Sequence, residues 1–142
     1  MKINKIPAGL WVFLGGGTGA SVRWLCLATA PSGSLFTTWA INVVGAFCLG
    51  FLLCWLELRG ADTGSRKATR LFVGTGVLGG FTTYSSFAVQ SVQIMQDGAT
   101  GTFWCYVAGS LVVGFLACAA GFFAAEFLGK RFARCSSGGD VA

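Results

Sequence analysis

Four long apolar runs, separated by short polar segments, dominate the chain. They lie near residues 8–29, 36–58, 71–95 and 102–128. A membrane-spanning helix needs about 20 mostly apolar residues, and each run is long enough. The runs are apolar throughout, whereas a transmembrane strand alternates apolar and polar positions. The pattern therefore predicts an all-α membrane protein of four transmembrane helices, in which short connections make successive helices antiparallel.

The composition also indicates a membrane protein. Hydrophobic residues make up 54% of the sequence and charged residues only 11%, with a mean hydropathy of +0.71. Soluble domains carry roughly 25% charged residues, so this chain has too few to cover a water-facing surface. The lipid bilayer is its predicted surrounding. A chain of 142 residues is expected to form one domain. We predict a single four-helix transmembrane domain over 1–128 and a short, basic, flexible C-terminal tail over 129–142.

The net charge of +5 does not indicate a nucleic-acid partner. Nucleic-acid binding requires a basic face with aromatic side chains in water. Here nearly all the Lys and Arg residues lie between the apolar runs, where they are typical of membrane-surface anchors. We therefore predict no nucleic acid among the partners.

Groups that could catalyse a reaction are scarce. The chain contains no His, which removes the commonest general base and metal ligand. The five acidic residues all lie away from the middle of the runs: Glu57, Asp62, Asp97, Glu126 and Asp140. The six Cys form no CxxC pair, and most act as small apolar residues within the runs. The sequence therefore predicts that the chain is not an enzyme.

The centre of the third run is unusually polar for a membrane helix. Residues 79–87 read Gly-Gly-Phe-Thr-Thr-Tyr-Ser-Ser-Phe. Adjacent glycines weaken a helix, and hydroxyl side chains compete for its backbone hydrogen bonds. A broken helix at mid-membrane is tolerated where it is buried in protein or lines a watery cavity, and its free carbonyls can hold a cation. The segment therefore predicts a break in the third helix at mid-membrane.

Other polar groups in the runs are hydrogen-bond donors. Asn42 is either an interhelical hydrogen-bond partner or a donor to a passing anion, and Arg23 is either functional or extended toward the interface. Tyr106 and Ser110 share a helix face, as packing residues or as a polar track. Because no carboxylate ring could select cations and aromatic ring edges are positive, these groups favour an anion.

Glycines at GxxxG spacing predict close helix packing. Gly15 and Gly19 have this spacing in the first run, and Gly76 and Gly80 have it in the third. In lipid, small residues at this spacing let helix backbones approach closely. We interpret these four glycines as packing residues.

Three segments together resemble the CrcB/Fluc family of fluoride channels. They are Gly-Ala-Ser-Val-Arg-Trp at 19–24, Asn-Val-Val-Gly-Ala-Phe at 42–47 with Gly50, and residues 79–87, close to the family's Gly-Gly-hydrophobic-Thr-Thr-Phe-Ser-Thr-Phe. The resemblance covers roughly residues 8–127. The chain has Tyr84 and Ser86 where the family usually has Phe and Thr. Gly114 and Cys118 stand where some members carry hydroxyls.

The resemblance implies an antiparallel dimer with two pores and a structural, untransported sodium ion at its centre. Backbone carbonyls of Gly79 and Thr82 from each subunit are the implied sodium ligands. The implied fluoride path has aromatic rings beside an amide, continued by a polar track, with Arg23 as a vestibule or anchoring residue. Its candidate residues are Thr38, Asn42, Thr83, Tyr84, Ser85, Ser86, Phe87, Tyr106 and Ser110.

The resemblance implies passive fluoride export from the cytoplasm, which reduces fluoride toxicity. Two alternatives are a small multidrug-type four-helix transporter and a non-conducting membrane assembly subunit. The transporter would need an intramembrane Glu for proton coupling, and the segments 24–55 and 71–95 contain none. Fluoride flux would separate a channel from the assembly subunit.

The basic residues also predict an orientation. Nine of the ten lie on the side shared by both termini and the second connection: Lys2, Lys5, Arg59, Arg66, Lys67, Arg70, Lys130, Arg131 and Arg134. Excess Lys and Arg in short loops marks the cytoplasmic side, so we predict an inner-membrane protein with both termini in the cytoplasm. The dimer partner is either the chain itself or a homologous subunit of opposite topology. Such a one-sided bias favours the unlike partner.

Overall fold

A computed structural model describes residues 7–31 and 34–137, with the backbone alone over 132–137. Every regular element in these ranges is helical. The elements are α1 (Ala8–Ala28), α2 (Leu35–Glu57), α3 (Gly64–Thr69), a π-helical segment (Arg70–Leu78), α4 (Gly79–Phe81), α5 (Tyr84–Gln96) and α6 (Thr100–Ser137). The elements from α3 to α5 follow one another in the chain between α2 and α6, and together we call them the third helix. The predicted all-α fold of four helices is confirmed.

Local sequence explains where several helices begin and end. Pro7, which cannot donate a backbone hydrogen bond, precedes α1. The Ser34 hydroxyl caps α2 by accepting from the N–H of Thr37 at 3.2 Å. Gly60 and Gly98 have φ of 106° and 73°, which only glycine adopts readily, and they let the chain turn after α2 and after α5.

Two of the helices are long and apolar enough to cross a membrane. Within the described residues they are Leu35–Glu57 and Thr100–Arg131, and few of their residues are buried inside the bundle. Phe13 on α1 and Phe115 on α6 leave 75% and 74% of their surfaces exposed. Large apolar side chains spread over every outer helix face suit lipid better than water.

The five tryptophans lie near the two ends of the bundle. Trp11 and Trp55 are near the end where α1 begins, and Trp24, Trp39 and Trp104 are near the opposite end. Trp is enriched at both membrane–water interfaces, so this arrangement suits a bundle that spans a bilayer.

Glycines bring α1 into backbone contact with the third helix. A Cβ added at Gly15 would meet the carbonyl of Phe72, and one at Gly19 would meet the carbonyl of Val77. The contact advances along both helices together, so α1 and the third helix are parallel. Gly76 in turn lies against Gly15, at 2.8 Å from an added Cβ to the Gly15 Cα. The close packing predicted from the GxxxG spacing is present.

Glycines join α2 to α6 in the same way. A Cβ at Gly50 would meet the Cys118 carbonyl, and one at Gly129 would lie 2.7 Å from Leu58 Cδ1. This contact also advances along both helices, so α2 and α6 are parallel. The bundle therefore consists of two parallel pairs, α1 with the third helix and α2 with α6, while α1 and α2 hardly touch.

Residues 129–137, where the sequence predicted the start of a flexible tail, continue α6. This helix has 38 residues and is about 57 Å long, against about 30 Å for the hydrocarbon layer. Gly129 does not end it, because that glycine packs on Leu58 of α2 and because Lys130 pairs with Glu126 one turn earlier at 2.7 Å. Residues 138–142 lie outside the described part of the chain.

The start of α1, the connection between α2 and α3, and the end of α6 lie at the same end of the bundle. Arg66 holds this connection by donating to the Arg59 carbonyl at 2.8 Å and the Ala61 carbonyl at 2.9 Å. Arg70 pairs with Asp62 at 2.7 Å. The described members of the predicted basic cluster are gathered here, while Lys2 and Lys5 lie outside the described residues.

Candidate functional site

The third helix is interrupted between α4 and α5, at Thr82 and Thr83. Both residues are extended, with φ, ψ of −70°, 157° and −143°, 115°. Each conformation is an ordinary β or polyproline conformation, so the break stores no backbone strain. The helix break that the sequence predicted is present, and its depth in a membrane stays a prediction.

Asn42 of α2 holds the break open. Its Oδ1 accepts from the Thr83 N–H at 2.8 Å, and its Nδ2 donates to the Thr83 carbonyl at 3.0 Å. In a continuous helix the Thr83 N–H would bond to the carbonyl of Gly79, four residues earlier. The amide of Asn42 therefore replaces a helical hydrogen bond and leaves the Gly79 carbonyl without its usual donor.

The side chain of Thr83 accepts a second backbone N–H that a continuous helix would pair with a carbonyl. Its Oγ1 accepts from the Ser86 N–H at 3.1 Å and so caps α5. In a continuous helix that N–H would bond to the carbonyl of Thr82. The carbonyls that lose their helical donors at the break thus include those of Gly79 and Thr82, the pair that the family resemblance names as cation ligands.

Gly45 provides the space for this arrangement on α2. A Cβ added at Gly45 would collide with Cγ2 of Thr82. Thr82 also donates its hydroxyl to the Leu78 carbonyl at 2.9 Å. Gly45 and Asn42 lie almost one turn apart on α2. Gly45 leaves room for Thr82, and Asn42 hydrogen-bonds Thr83, so together they accommodate the break.

Arg23 reaches the break from α1. One terminal nitrogen of its guanidinium donates to the Thr82 carbonyl at 3.1 Å, in a partly buried position. Of the two interpretations of Arg23, the structure therefore favours the intramolecular contact over a side chain extended to the interface.

Three aromatic rings form a row beside the break. The ring centroids of Tyr84 and Phe87 are 6.1 Å apart, and those of Phe87 and Tyr106 are 5.3 Å apart. Tyr84 is 81% exposed at one end of the row. At the other end the Tyr106 hydroxyl donates to Oε1 of Gln90 at 2.8 Å.

An open groove of about 600 Å³ runs along the break. Most of its wall is apolar, and its polar side chains are those of Asn42, Thr75, Thr82, Thr83, Tyr84 and Ser110. Predicted site residues in its wall are Asn42, Gly79, Thr82, Thr83, Tyr84, Phe87 and Ser110. The structure thus brings most of the predicted residues to one surface.

The remaining predicted residues lie around this groove. The Thr83 hydroxyl donates to the Ser86 hydroxyl at 3.1 Å and lies within hydrogen-bond distance of the Ser85 hydroxyl, at 3.2 Å. Tyr106 meets the site through the ring of Phe87. Thr38 is fully buried, and within the described part of the chain its hydroxyl has no hydrogen-bond partner.

Sequence reasoning missed Gln90 and Gly45. Gln90 is a polar side chain inside an apolar run, which was an available signal for a hydrogen bond within the bundle. Gly45 carried no signal of its own, because only the packing of α2 on the third helix shows that a methyl group there would displace Thr82.

Over the described residues, no three His, Cys, Asp or Glu side chains come together. Backbone carbonyls and hydroxyls are therefore the oxygen atoms that the break itself offers to a cation. The groups at the break that can contact an anion are N–H groups, hydroxyls and ring edges.

The fold and the site define a class of protein, namely small helical membrane proteins with an interrupted third helix beside an open groove. The chain belongs to the CrcB family, because a sequence model of that family, described as CrcB-like protein, Camphor Resistance (CrcB), matches residues 10–122.

Several relatives of the chain carry a functional name. A protein of Leifsonia xyli subsp. xyli named fluoride-specific ion channel FluC 2 is 45% identical over 86% of this chain and 86% of its own length. A fluoride-specific ion channel FluC of Novosphingobium aromaticivorans is 43% identical over 77% of this chain and 88% of its own. A FluC of Chlorobium luteolum is 40% identical over 89% of this chain and 98% of its own.

Proposed function

We propose that the chain forms a fluoride-selective channel through which fluoride leaves the cytoplasm passively, so that its toxicity falls. The observation that carries this proposal is the break with its row of aromatic rings, in a chain that aligns over most of its length with proteins named fluoride-specific ion channels. This function is transport of an ion and not catalysis.

The chemistry of the groove suits a small anion. Nδ2 of Asn42 has a second hydrogen besides the one that it donates to Thr83, and the hydroxyls of Thr83 and Ser85 lie within the same network. The ring edges of Tyr84 and Phe87 carry partial positive charge. These groups can replace part of the water around a fluoride ion without supplying a fixed opposite charge that would hold it.

A single chain leaves this path incomplete. The groove is open, and the Tyr84 ring at its mouth is 81% exposed. A phenol hydroxyl facing lipid would lack a hydrogen-bond partner, which is costly. We therefore propose that a second subunit covers the groove in an antiparallel dimer with two pores.

The same surface supports a sodium ion in the dimer. The carbonyls of Gly79 and Thr82 have lost their helical donors, and both residues line the groove that the partner would cover. A two-fold axis would bring four such oxygens together, which fits a cation held without charged side chains. Bound there, sodium would supply positive charge at the dimer centre and join the two breaks.

The basic end of the bundle supports cytoplasmic termini. A cysteine-depleted protein carrying Ala61→Cys or Ala99→Cys would test this, since both positions are exposed and lie at opposite ends. In intact cells an impermeant maleimide should label Ala99→Cys and spare Ala61→Cys. Such one-way insertion would require a homologous partner of opposite topology. Equal labelling of the two would instead mean dual insertion and a dimer of identical chains.

Fluoride efflux from liposomes tests the main proposal. Purified protein, alone and with a homologue of opposite orientation, would be reconstituted with internal potassium fluoride, and efflux followed with a fluoride electrode after valinomycin. Fluoride should leave rapidly, while matched chloride-loaded vesicles keep their anion. Equal efflux of both anions would refute selectivity, and no efflux from either preparation would identify a non-conducting assembly subunit.

A further inference from the structure

Arg23 occupies an oxygen that the proposed sodium ion needs. Its guanidinium donates to the Thr82 carbonyl at 3.1 Å. That carbonyl is one of those that lose their helical donor at the break. The fluoride path proposed above uses no group on α1, so this contact between α1 and the break has no part in it.

Arg23 is not required to orient that carbonyl. The Thr82 N–H donates to the Leu78 carbonyl at 2.9 Å, and the Thr82 hydroxyl donates to the same oxygen at 2.9 Å. On the other side, the Thr83 N–H donates to Oδ1 of Asn42, and the Thr83 carbonyl accepts from Nδ2 of Asn42. The peptide group between Thr82 and Thr83 is therefore held through its own N–H by Asn42, next to a Thr82 that is anchored to Leu78, and what Arg23 adds is positive charge.

Within the described part of the chain, no carboxylate pairs with Arg23. The ion pairs within the described residues join Arg70 to Asp62 and Lys130 to Glu126, both toward the other end of the bundle. A guanidinium without a counter-ion in a partly buried site repels a second cation much more strongly than it would in water.

We propose that Arg23 competes with sodium for the Thr82 carbonyl and thereby weakens sodium binding at the dimer centre. This inference rests on the proposed sodium site. A cation held by Thr82 would share its oxygen with the guanidinium, and two-fold symmetry would place two arginines around one ion. Arg23 thus acts as a positioned positive charge that sets how much sodium the channel needs to stay assembled.

The test is a sodium titration of thermal stability. Purified dimer in detergent micelles would be titrated with sodium chloride, replaced isosmotically by N-methyl-D-glucamine chloride, and the melting temperature recorded. A ligand that binds only the folded state raises this temperature, so the half-maximal concentration reports sodium affinity. Arg23→Gln keeps a hydrogen-bond donor and removes the charge, whereas Arg23→Lys keeps the charge.

We expect the half-maximal sodium concentration of Arg23→Gln to fall by about tenfold or more, and that of Arg23→Lys to stay within about threefold of the unmodified protein. An unchanged or higher value for Arg23→Gln overturns the proposal. An equal fall in both variants also overturns it, since charge would then not be the cause. If sodium does not stabilise the unmodified protein at all, the sodium site itself fails.

A second measurement covers the case in which Arg23→Gln does not fold. In unmodified protein labelled with ¹⁵N-arginine, the side-chain resonance of Arg23, assigned through Arg23→Lys, should shift as sodium binds. A resonance that stays in place while the melting temperature rises would overturn the competition.

Discussion

The contact between α1 and the third helix leads to a sharp prediction about two neighbouring glycines. A Cβ added at Gly19 would meet backbone atoms, the Val77 carbonyl oxygen and, at 2.8 Å, the Phe81 nitrogen. A Cβ added at Gly17 meets nothing within 4 Å. Gly19→Ala therefore forces two helices apart, and Gly17→Ala is a matched control in the same helix.

The expected magnitude follows from two opposing effects. Replacing Gly by Ala in a helix gains about 1 kcal/mol of helix propensity, at Gly19 and Gly17 alike. Overpacking a tight contact costs typically about 1–3 kcal/mol. Because the propensity term is common to both variants, the two free energies of unfolding should differ by about 1–3 kcal/mol, which is roughly a 5- to 150-fold difference in the unfolding equilibrium.

Equilibrium unfolding in mixed micelles measures this difference. Gly17→Ala should be as stable as the unmodified protein or more so, and Gly19→Ala less stable than both. Since Phe81 directly precedes the break, Gly19→Ala should also reduce fluoride efflux per folded protein. Equal stability of the two variants would show that α1 and the third helix are not in backbone contact, and the parallel pairing would then be wrong.

Three further substitutions test the site. Phe87→Ile removes the positive ring edge at similar volume, so fluoride efflux should fall strongly with the protein still folded; undiminished efflux would make the ring a packing residue. Asn42→Ala leaves the buried Thr83 N–H unpaired, while the Thr83 carbonyl keeps its helical donor in α5, so the free energy of unfolding should fall by about 1–3 kcal/mol and efflux should be abolished; unchanged stability contradicts the role of Asn42 at the break. Tyr106→Phe removes the hydrogen bond to Gln90 and should lower the free energy of unfolding by about 1 kcal/mol. If efflux is lost while this free energy is unchanged, the hydroxyl acts directly in conduction instead.

The break illustrates what the sequence can and cannot predict. Hydroxyls and paired glycines at 79–87 indicated an interrupted helix, because each weakens the backbone ladder locally. The assignment of Asn42 left an interhelical hydrogen bond and an anion donor open, and its two bonds to Thr83 account for the first. Local patterns do not say which helix an amide will meet, since that depends on the pairing of distant segments.

The course of the chain around the break was less predictable. No local pattern predicted a π-helical segment over Arg70–Leu78, the part of the third helix that packs on α1. Gly129 and the basic residues after it looked like the end of the fourth helix, yet α6 continues because Gly129 packs on Leu58. In both places contacts with another helix override the local signal.

The parallel pairing has a consequence for biosynthesis. Each glycine-lined helix finds its close partner two spans later in the chain, so α1 and α2 enter the membrane before the helices against which they pack exist. A nascent chain that stops after α2 holds two hairpin helices with little mutual contact and with glycine faces exposed to lipid. The pair of α1 and the third helix can therefore form first, and the complete bundle must await α6.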